Sequence, residues 1–581
     1  MPKIEVYRDA LVRALGKPTI TDEQLEAVFP AAKAELDEAA NEDGLMKVEL
    51  NDTNRPDLWS SAGLARQLRL AQGASVPEYA FFSNASVRQE HGSRRVVVDA
   101  SVRRIRPYIV AFVMTGPPVN EAVLKDLIQT QEKLTWNFGR KRRSVAMGVY
   151  RSDLIKYPVR YAAVDPDTTR FVPLQMDTEL SMREIITEHP KGKEFGHIHA
   201  QEERFPLLTD DLGDVLSFPP VINSARIGAV QEGDTELFVE LTGTDMDSLL
   251  LTASIVACDA ADAGYSIQPV RIEYPYDTPY GREITVPYYF QTPQTAETRE
   301  INKLLGSSLT EQEIVRALER MGVVASVEDG TVTARVPEYR NDFLHAVDIV
   351  EDVMMGRGMD SFAPTMPQDF TVGRLLPVEE LTRRVKSTMV GLGFQEMIFN
   401  YLGSAADYLE RMYPADEWEA ARERAVQIAN PMSENYEFVR PSILPSLLSA
   451  EAVSGQAAYP HHIFEVGNTA RRDDSEVSGT RTHTMLGFVS ADRDAGFNLV
   501  NSHISAILYY TGWEFSVEEI RDSRFIPGRA ARVVLPTGTA VGVFGELHPR
   551  VLEAWGIQVP CTAGELDVET LLGKNVGAAD A

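Results

Sequence analysis

Four carboxylates lie close together between residues 342 and 352. Asp348, Glu351 and Asp352 are spaced i, i+3 and i+4, so a helix would bring them to one surface. Asp342 lies about one and a half helical turns earlier, near the expected helix start. Such carboxylates repel one another unless a cation neutralises them, and oxygen ligands suit Mg²⁺. Spacing alone leaves open a metal site and an ordinary solvated acidic face.

Apolar residues accompany these carboxylates. Phe343, Val347, Val350 and Met354 recur at helical spacing, which predicts a buried stripe along the same helix.

A second candidate site lies where a predicted strand ends near Thr242. A helix follows at once, with Thr244 or Asp245 as its cap, so free backbone N–H groups are expected beside the strand end. Hydroxyls, amides and one carboxylate at strand ends could line a pocket for a polar ligand. The alternative is a capped strand–turn–helix without a ligand. The candidate pocket residues are Leu208, Ser217, Asn223, Glu240 and Thr242.

The densest basic run of the chain is Gly139–Arg143, preceded by Trp136 and Phe138. Aromatic stacking combined with phosphate contact would suit a single-stranded nucleic acid. A solvated basic turn is the competing interpretation. Elsewhere, the polar run Asn51–Arg66 predicts a turn leading into a helix capped by Ser60 or Asp57.

Composition sets the limits of these hypotheses. The 581 residues include 57 Lys and Arg against 85 Asp and Glu, a formal net charge of −28, which excludes a protein that coats nucleic acid by bulk electrostatics. The cysteines, Cys258 and Cys561, are too few for a disulfide framework. We find no GxxxxGK[ST] loop, no GxGxxG turn and no HExxH motif. The charged N-terminus and the lack of a long apolar run predict a cytoplasmic protein without a leader.

Four segments must position the candidate residues. Residues 1–88 alternate short strands with helices, including an acidic helix expected around 31–41. Residues 89–288 are rich in strand patterns, interrupted by helices near 119–133 and 245–263. Residues 289–365 form a compact unit that contains the acidic helix. Residues 366–581 form a larger α/β segment with hairpin signals such as Pro536-Thr537-Gly538.

Several motifs, in order along nearly the whole chain, resemble the β subunit of phenylalanyl-tRNA synthetase. The length resembles the archaeal and eukaryotic type of that subunit. The motifs are the runs at 51–66, 339–352, 430–433, 440–445, 527–529 and 544–549.

The resemblance implies a multidomain chain of α/β and α+β type. It would comprise an N-terminal α/β domain, a β-rich editing domain, a small α+β domain and a class II synthetase-like antiparallel-sheet domain without catalytic motifs. In this family the α subunit activates phenylalanine with ATP. The last domain would therefore serve as an interface in an (αβ)₂ tetramer, and Arg440, Glu465 and Arg529 would be structural.

The resemblance also implies an editing site that hydrolyses tyrosine wrongly attached to the phenylalanine tRNA. Leu208 would form the pocket wall, and Ser217 and Thr242 would bind the aminoacyl ester or the attacking water. Glu240 would hold the tyrosine hydroxyl, although archaeal members carry Asp there. The additional methylene moves the carboxylate by about an ångström, enough to shift such contacts.

Finally, the resemblance implies that Asp342, Asp348, Glu351 and Asp352 hold a Mg²⁺ ion shared with the α subunit. Two rival hypotheses remain beside the editing subunit. One is a scaffold with an inactive pocket, and the other is a free-standing deacylase of mischarged tRNA.

Overall fold

The computed structural model describes residues 2–17, 19–82 and 94–572. It divides into two compact units, Met1–Thr365 and Met366–Ala581. The predicted boundary between the first two segments, at 88 and 89, lies outside the described residues. Among those described, no helix is long and apolar enough to cross a membrane.

The first unit contains several sheets and many short helices. Its strands are β1 Lys3–Tyr7, β2 Ala34–Glu38, β3 Leu45–Leu50, β4 Arg95–Val98, β5 Tyr108–Thr115, β6 Val145–Arg151, β7 Val159–Val164, β8 Arg170–Phe171, β9 Leu180–Ser181, β10 Phe205–Thr209, β11 Val215–Phe218, β12 Ile222–Asn223, β13 Glu236–Gly243, β14 Ser266–Glu273, β15 Glu283–Val286, β16 Gln294–Glu297, β17 Val324–Glu328 and β18 Thr331–Arg335. Its α-helices are α1 Arg8–Ala14, α2 Asp22–Glu26, α3 Ser61–Ala71, α4 Glu121–Lys133, α5 Met182–Glu188, α6 Pro190–Phe195, α7 Met246–Asp262, α8 Thr298–Leu305, α9 Glu311–Arg320 and α10 Ala346–Arg357.

The N-terminal sheet has the order β1-β3-β2. The expectation of an acidic helix around 31–41 is wrong, because β2 occupies this stretch. Lys33 has a φ of 50°, which ends the preceding helical turn, and β2 then pairs antiparallel with β3. Helix α3 is capped by Ser60, as predicted. Arg66 of that helix is buried and donates to Asp259 and Asp262 of α7.

A ten-stranded sheet dominates the middle of the first unit, in the order β12-β11-β10-β7-β4-β14-β5-β13-β6, with β15 added on β14. The sheet curls until its two ends meet. The Arg151 N–H of β6 donates to the Ile227 carbonyl at 3.0 Å, and the Asn223 amide donates to the Val149 carbonyl at 3.4 Å. This closure brings β11 and β13 together although they lie far apart in the strand order.

Helix α7 packs against this sheet and begins where β13 ends. Asp245 is its cap and accepts a hydrogen bond from the Ser248 N–H. Of the two predicted caps, Thr244 and Asp245, the second is therefore the correct one. The helix is buried along most of its length because its sequence is apolar on nearly every side. Cys258 is among these buried residues.

The end of the first unit is a small sheet, β16-β18-β17, covered by α8, α9 and α10. The predicted stripe on α10 is only partly correct. Phe343 and Val350 are buried, but Val347 is 55% exposed, and Ile349 and Val353 enter the core instead. Val347 lies in the first turn of the helix, close to Leu344, which is also exposed.

The second unit contains ten strands and six α-helices among the described residues. Its strands are β19 Gln395–Glu396, β20 Leu402–Gly403, β21 Val426–Gln427, β22 Phe438–Val439, β23 His461–Arg472, β24 Thr480–Ala491, β25 Ser516–Glu519, β26 Phe525–Val534, β27 Ala540–Leu547 and β28 Cys561–Asp567. Its α-helices are α11 Pro377–Gly391, α12 Trp418–Arg424, α13 Leu444–Val453, α14 Phe497–Thr511, α15 Pro549–Trp555 and α16 Val568–Leu571. The unit is built around a seven-stranded sheet in the order β19-β23-β24-β28-β27-β26-β25. The predicted hairpin at residues 536–538 joins β26 to β27, and Cys561 is buried in β28.

Candidate functional site

The closed end of the large sheet brings the predicted pocket residues together. Leu208 of β10 pairs with Ser217 of β11, while Glu240 and Thr242 lie two residues apart on β13 and therefore face the same side. All four are buried, with Glu240 2% exposed. The site thus combines a carboxyl and two hydroxyls beside an apolar wall.

Glu240 is a buried carboxyl with one engaged oxygen. The Tyr150 hydroxyl lies 3.1 Å from Glu240 Oε1 and 2.8 Å from Ser217 Oγ. No described residue donates to Glu240 Oε2, which is itself buried. Burial raises the pKa of Glu240 to about 7, although the Tyr150 hydrogen bond and the Arg106 charge both lower it. The carboxyl therefore changes its charge near neutral pH.

Arg106 supplies the positive charge of this site. Its Nε donates to Thr242 Oγ1 at 2.9 Å and its Nη2 donates to the Thr242 carbonyl at 2.5 Å. The Arg143 carbonyl accepts from Nη1, and the Tyr161 hydroxyl donates to the Arg106 carbonyl. Burial lowers the pKa of Arg106 to about 10, so the guanidinium is still charged at neutral pH.

Three aromatic side chains, two of them from β10 and β11, stack next to the pocket residues. His199 is 2% exposed and stacks on Phe218, which in turn stacks on Phe205 at 5.3 Å between ring centroids. Burial, together with the charge of Arg106, lowers the pKa of His199 to about 3. The imidazole is therefore neutral and acts as part of the aromatic packing under the pocket.

The basic run forms an unusual turn after α4. Arg140, Lys141 and Arg142 have φ values of 51°, 55° and 65°, a left-handed conformation that costs roughly 1–2 kcal/mol per L-residue. Backbone hydrogen bonds to the Trp136 and Thr135 carbonyls, at 2.8 and 2.9 Å, hold the turn. The backbone of the run is consequently held in one conformation.

Members of this basic run differ in role. Arg142 is half-buried and donates to the backbone carbonyls of Pro220 and Val221, at 3.0 and 3.3 Å, so it connects the turn to the β11–β12 loop. Arg140 and Lys141 are exposed. A cleft of about 1270 Å³ lies beside the turn. Its lining includes Lys3, Lys133, Trp136, Phe138, Arg140 and Thr244.

The acidic residues at 342–352 are divided rather than gathered. Arg340 is only 2% exposed, and its guanidinium donates to both oxygens of the Asp342 carboxylate and of the Asp352 carboxylate at 2.6–3.0 Å. Burial opposes ionisation of Asp342, but the Arg340 guanidinium outweighs it and lowers the pKa of that carboxyl to about 2. A cation of the chain itself therefore neutralises this half of the set.

The other two carboxylates lie at the half-exposed side of α10. Asp348 Oδ2 accepts the backbone N–H groups of Leu344 and His345, each at 2.6 Å, at the start of the helix. Glu351 pairs with Lys33. Within the described ranges, no three His, Cys, Asp or Glu side chains are arranged to hold a metal ion. The four predicted ligands are therefore not gathered around one point in the part of the chain that the structure describes.

In the second unit, two residues predicted to be structural form a buried ion pair. Arg440 and Glu465 make a bidentate contact at 2.8 and 2.9 Å, with side chains 0% and 3% exposed. Arg529 instead makes a surface contact with Glu546 at 2.6 Å.

Sequence reasoning missed Tyr150, Arg106 and Arg340. Arg106 and Tyr150 lie 136 and 90 residues from their partners Thr242 and Glu240, and they meet them because β5 and β6 pair with β13 on either side. Arg340 could have been found from the sequence, because it precedes Asp342 by two residues within the run 339–352.

Comparison with known proteins defines the class and then the family. Residues 295–359 match the tRNA synthetase B5 domain, and residues 363–568 match the phenylalanyl tRNA synthetase beta chain CLM domain. The molecule is thus a component of an aminoacyl-tRNA synthetase.

Whole-length relatives identify the family. The phenylalanine–tRNA ligase beta subunit of Borrelia hermsii is 44% identical over 574 residues, covering 98% of this chain and 100% of the relative. That of Treponema pallidum is 45% identical over 612 residues, with the same coverage. A crystal structure of an N-terminal fragment of the phenylalanyl-tRNA synthetase beta subunit from Pyrococcus horikoshii has a TM-score of 0.57 and 36% identity, covering 61% of this chain and 100% of that fragment. The chain belongs to the phenylalanine–tRNA ligase beta subunit family, which confirms the predicted resemblance.

Proposed function

We propose that this beta subunit hydrolyses tyrosine wrongly attached to the phenylalanine tRNA, within an (αβ)₂ ligase of the cytoplasm. The α subunit would join phenylalanine to that tRNA with ATP. The observation that carries the editing proposal is the buried Glu240 carboxyl. Its Oε2 lacks a donor among the described residues, its Oε1 shares the Tyr150 hydroxyl with Ser217, and Thr242 lies two residues along the same strand.

Such a carboxyl suits the task of separating tyrosine from phenylalanine. The two amino acids differ by one hydroxyl, and a tyrosine hydroxyl could donate to Oε2. Phenylalanine would leave that buried oxygen unpaired, and sites built around such a hydrogen bond reject the analogue lacking it by about 10⁴–10⁵-fold. The longer side chain of Glu, compared with Asp, is held in position here by Tyr150.

Arg106 prepares Thr242 for contact with the ester. Because Thr242 Oγ1 accepts from Arg106 Nε, its own proton is left to donate toward the ester carbonyl or the attacking water. Addition of water to that carbonyl builds negative charge beside the guanidinium, which favours the transition state. The ribose oxygen of the tRNA then leaves and takes up the proton that the attacking water releases. Leu208, fully buried, would form the wall for the aromatic ring.

Thr242→Ala tests this proposal in the complex with the α subunit. We expect tyrosyl-tRNA hydrolysis to fall by about 10²-fold, the usual scale for losing one such donor, with aminoacylation unchanged. Thr252→Ala is the matched control, since Thr252 is an equally buried threonine that bonds within α7. Unchanged hydrolysis in Thr242→Ala would mean that the named pocket is wrong or idle, and no hydrolysis by the unmodified complex would favour the scaffold hypothesis.

The assembly proposal rests on the start of α10. Leu344 and Val347 are 71% and 55% exposed beside the half-exposed Asp348 and Glu351, an apolar and acidic surface suited to a partner subunit. A shared Mg²⁺ would take carboxylate oxygens from Asp348 and Glu351, with the α subunit completing its ligands. Bound there, the ion would hold the subunits together.

Native mass measurement tests assembly directly. We expect the gently purified chain to accompany an equal number of smaller subunits in a tetramer. A monomer that hydrolyses tyrosyl-tRNA alone would support the free-standing deacylase instead.

The basic turn is our proposed contact for the tRNA. Arg140 and Lys141 are exposed beside the cleft, and the half-buried Arg142 connects the same turn to the loop after β11. Phosphate contacts there would place the aminoacylated end of the tRNA near the editing pocket.

A further inference from the structure

The strand β6 carries a residue pair that shapes the pocket. Gly148 lies directly opposite Glu240 in the ladder between β6 and β13, and Tyr150 follows two residues later on the same face. A Cβ atom on Gly148 would lie 2.1 Å from the Tyr150 hydroxyl oxygen. The absence of a side chain at 148 is therefore what allows the tyrosine to lie across the strand and reach Glu240.

The phenol of Tyr150 is fixed in this position. The side chain is fully buried and packs on Phe238, with ring centroids 6.1 Å apart. Its hydroxyl contacts both Ser217 and Glu240. A phenol has one proton to donate and can also accept, so the three groups form a chain of hydrogen bonds with a definite direction.

We propose that Tyr150 is a positioning residue that sets the specificity of the pocket. By donating to Glu240 Oε1 it fixes the rotation of the carboxyl, so that Oε2 is the oxygen presented to the hydroxyl of the mischarged tyrosine. Ser217 donates its proton to the Tyr150 oxygen and keeps a lone pair to accept from the attacking water or the substrate amine. This inference rests on the proposed editing function and names the residue that gives it selectivity.

This arrangement holds only when Glu240 is ionised. A protonated carboxyl could place its proton on Oε2, which would then no longer accept from the substrate. The charged or titratable groups facing Glu240 are Tyr150 on β6, Arg106 before β5 and Tyr161 on β7. Arg106 stays charged, and burial raises the pKa values of both tyrosines well above their ordinary range. Glu240 is therefore the group of this set that titrates near neutral pH.

Tyr150→Phe removes the hydroxyl and keeps the ring. Because the hydrogen bond from Tyr150 lowers the pKa of Glu240, its loss raises that pKa further. In the complete complex, we expect the rise of tyrosyl-tRNA hydrolysis with pH to move to higher pH by about one unit. We also expect the preference for tyrosyl-tRNA over phenylalanyl-tRNA to fall by about tenfold, because Oε2 is no longer held in place.

Two further variants separate this role from a general packing effect. Gly148→Ala would push the Tyr150 hydroxyl away from Glu240 and should reproduce the pH shift. Tyr157→Phe is the matched control, since Tyr157 packs on the same Phe238 but its hydroxyl lies near Ser152. Its pH profile and selectivity should equal those of the unmodified complex.

Each outcome decides the inference. An unchanged pH profile and selectivity in Tyr150→Phe, with hydrolysis lost in Thr242→Ala, would overturn the role of Tyr150 alone. No hydrolysis by the unmodified complex would overturn the proposed function and this inference together. The carboxyl band of Glu240, followed by infrared difference spectroscopy against Glu240→Gln, gives the pKa shift without activity. If the pKa of Glu240 measured in this way is the same in Tyr150→Phe as in the unmodified complex, the positioning role is also refuted.

Discussion

Arg340 is the residue whose removal most directly tests how the acidic segment is held. Substitution by Gln keeps most of the volume but removes the charge and the paired donors that satisfy Asp342 and Asp352. Both carboxylates would then be buried without the guanidinium that binds them, with Arg55 as a nearby cation that still acts on both.

The size of the effect follows from burial. Removing one partner of a buried ion pair typically costs about 3–5 kcal/mol, because the remaining charge is uncompensated. Part of this is linked to pH. The pKa of Asp342 is lowered to about 2, so its ionised form stabilises the fold above the ordinary pKa near 4. That stability, about 2–3 kcal/mol, is lost as the pH falls from about 4 to 2.

Hydrogen exchange of the amides in α10 gives the local free energy of opening. We expect Arg340→Gln to lower it by about 3–5 kcal/mol at neutral pH. The acid-induced loss attributed to Asp342 should also disappear from denaturation curves of the variant. Arg282→Gln is the control, because Arg282 and Asp277 form an exposed pair whose loss should leave the protection of α10 unchanged.

The same measurement with and without Mg²⁺ can refute the reasoning. Arg340 neutralises these carboxylates if the unmodified chain has equal protection in Mg²⁺ and in a chelator. A loss below about 1 kcal/mol in Arg340→Gln would contradict the buried-pair estimate. A large loss in the unmodified chain on chelation would show that a metal ion, and not Arg340, holds the segment.

Two other predictions concern the remaining charged features. Glu465→Gln should destabilise the second unit by about 3–5 kcal/mol because it leaves Arg440 buried and unpaired, whereas Arg529→Gln at the surface should cost about 0–1 kcal/mol in the same urea titration. Equal losses would mean that burial does not decide the effect. Arg140→Gln combined with Lys141→Gln should weaken tRNA binding and reduce the slope of log K against log salt by about 1.5–2. An unchanged slope would identify the run as a solvated turn.

The helix caps could be predicted from the sequence. Ser60 and Asp245 are caps, as their side-chain chemistry and position suggested, because a cap depends on residues within one turn. Helical spacing also located α10. It could not tell that Val347 is exposed, since burial depends on what packs against the helix.

The site shows the same limit. Pocket residues could be named through resemblance, but their neighbours could not. Tyr150 and Arg106 reach Glu240 and Thr242 because β6 and β5 pair with β13 on either side, and no spacing within one strand encodes which strands become its neighbours. The four carboxylates have the spacing that predicts convergence on one surface. Arg340 instead binds Asp352 in the core, and helical periodicity cannot reveal such a partner.

The two cysteines can report the local opening of each unit separately. Cys258 lies within the first unit and Cys561 within the second, both buried. Burial raises the pKa of the Cys258 thiol well above its usual range and that of Cys561 to about 12, so neither forms much of the reactive thiolate in the native state. Alkylation must therefore await local opening. With a mass spectrometer to tell the two modified peptides apart, one labelling time course would give separate opening rates for both units.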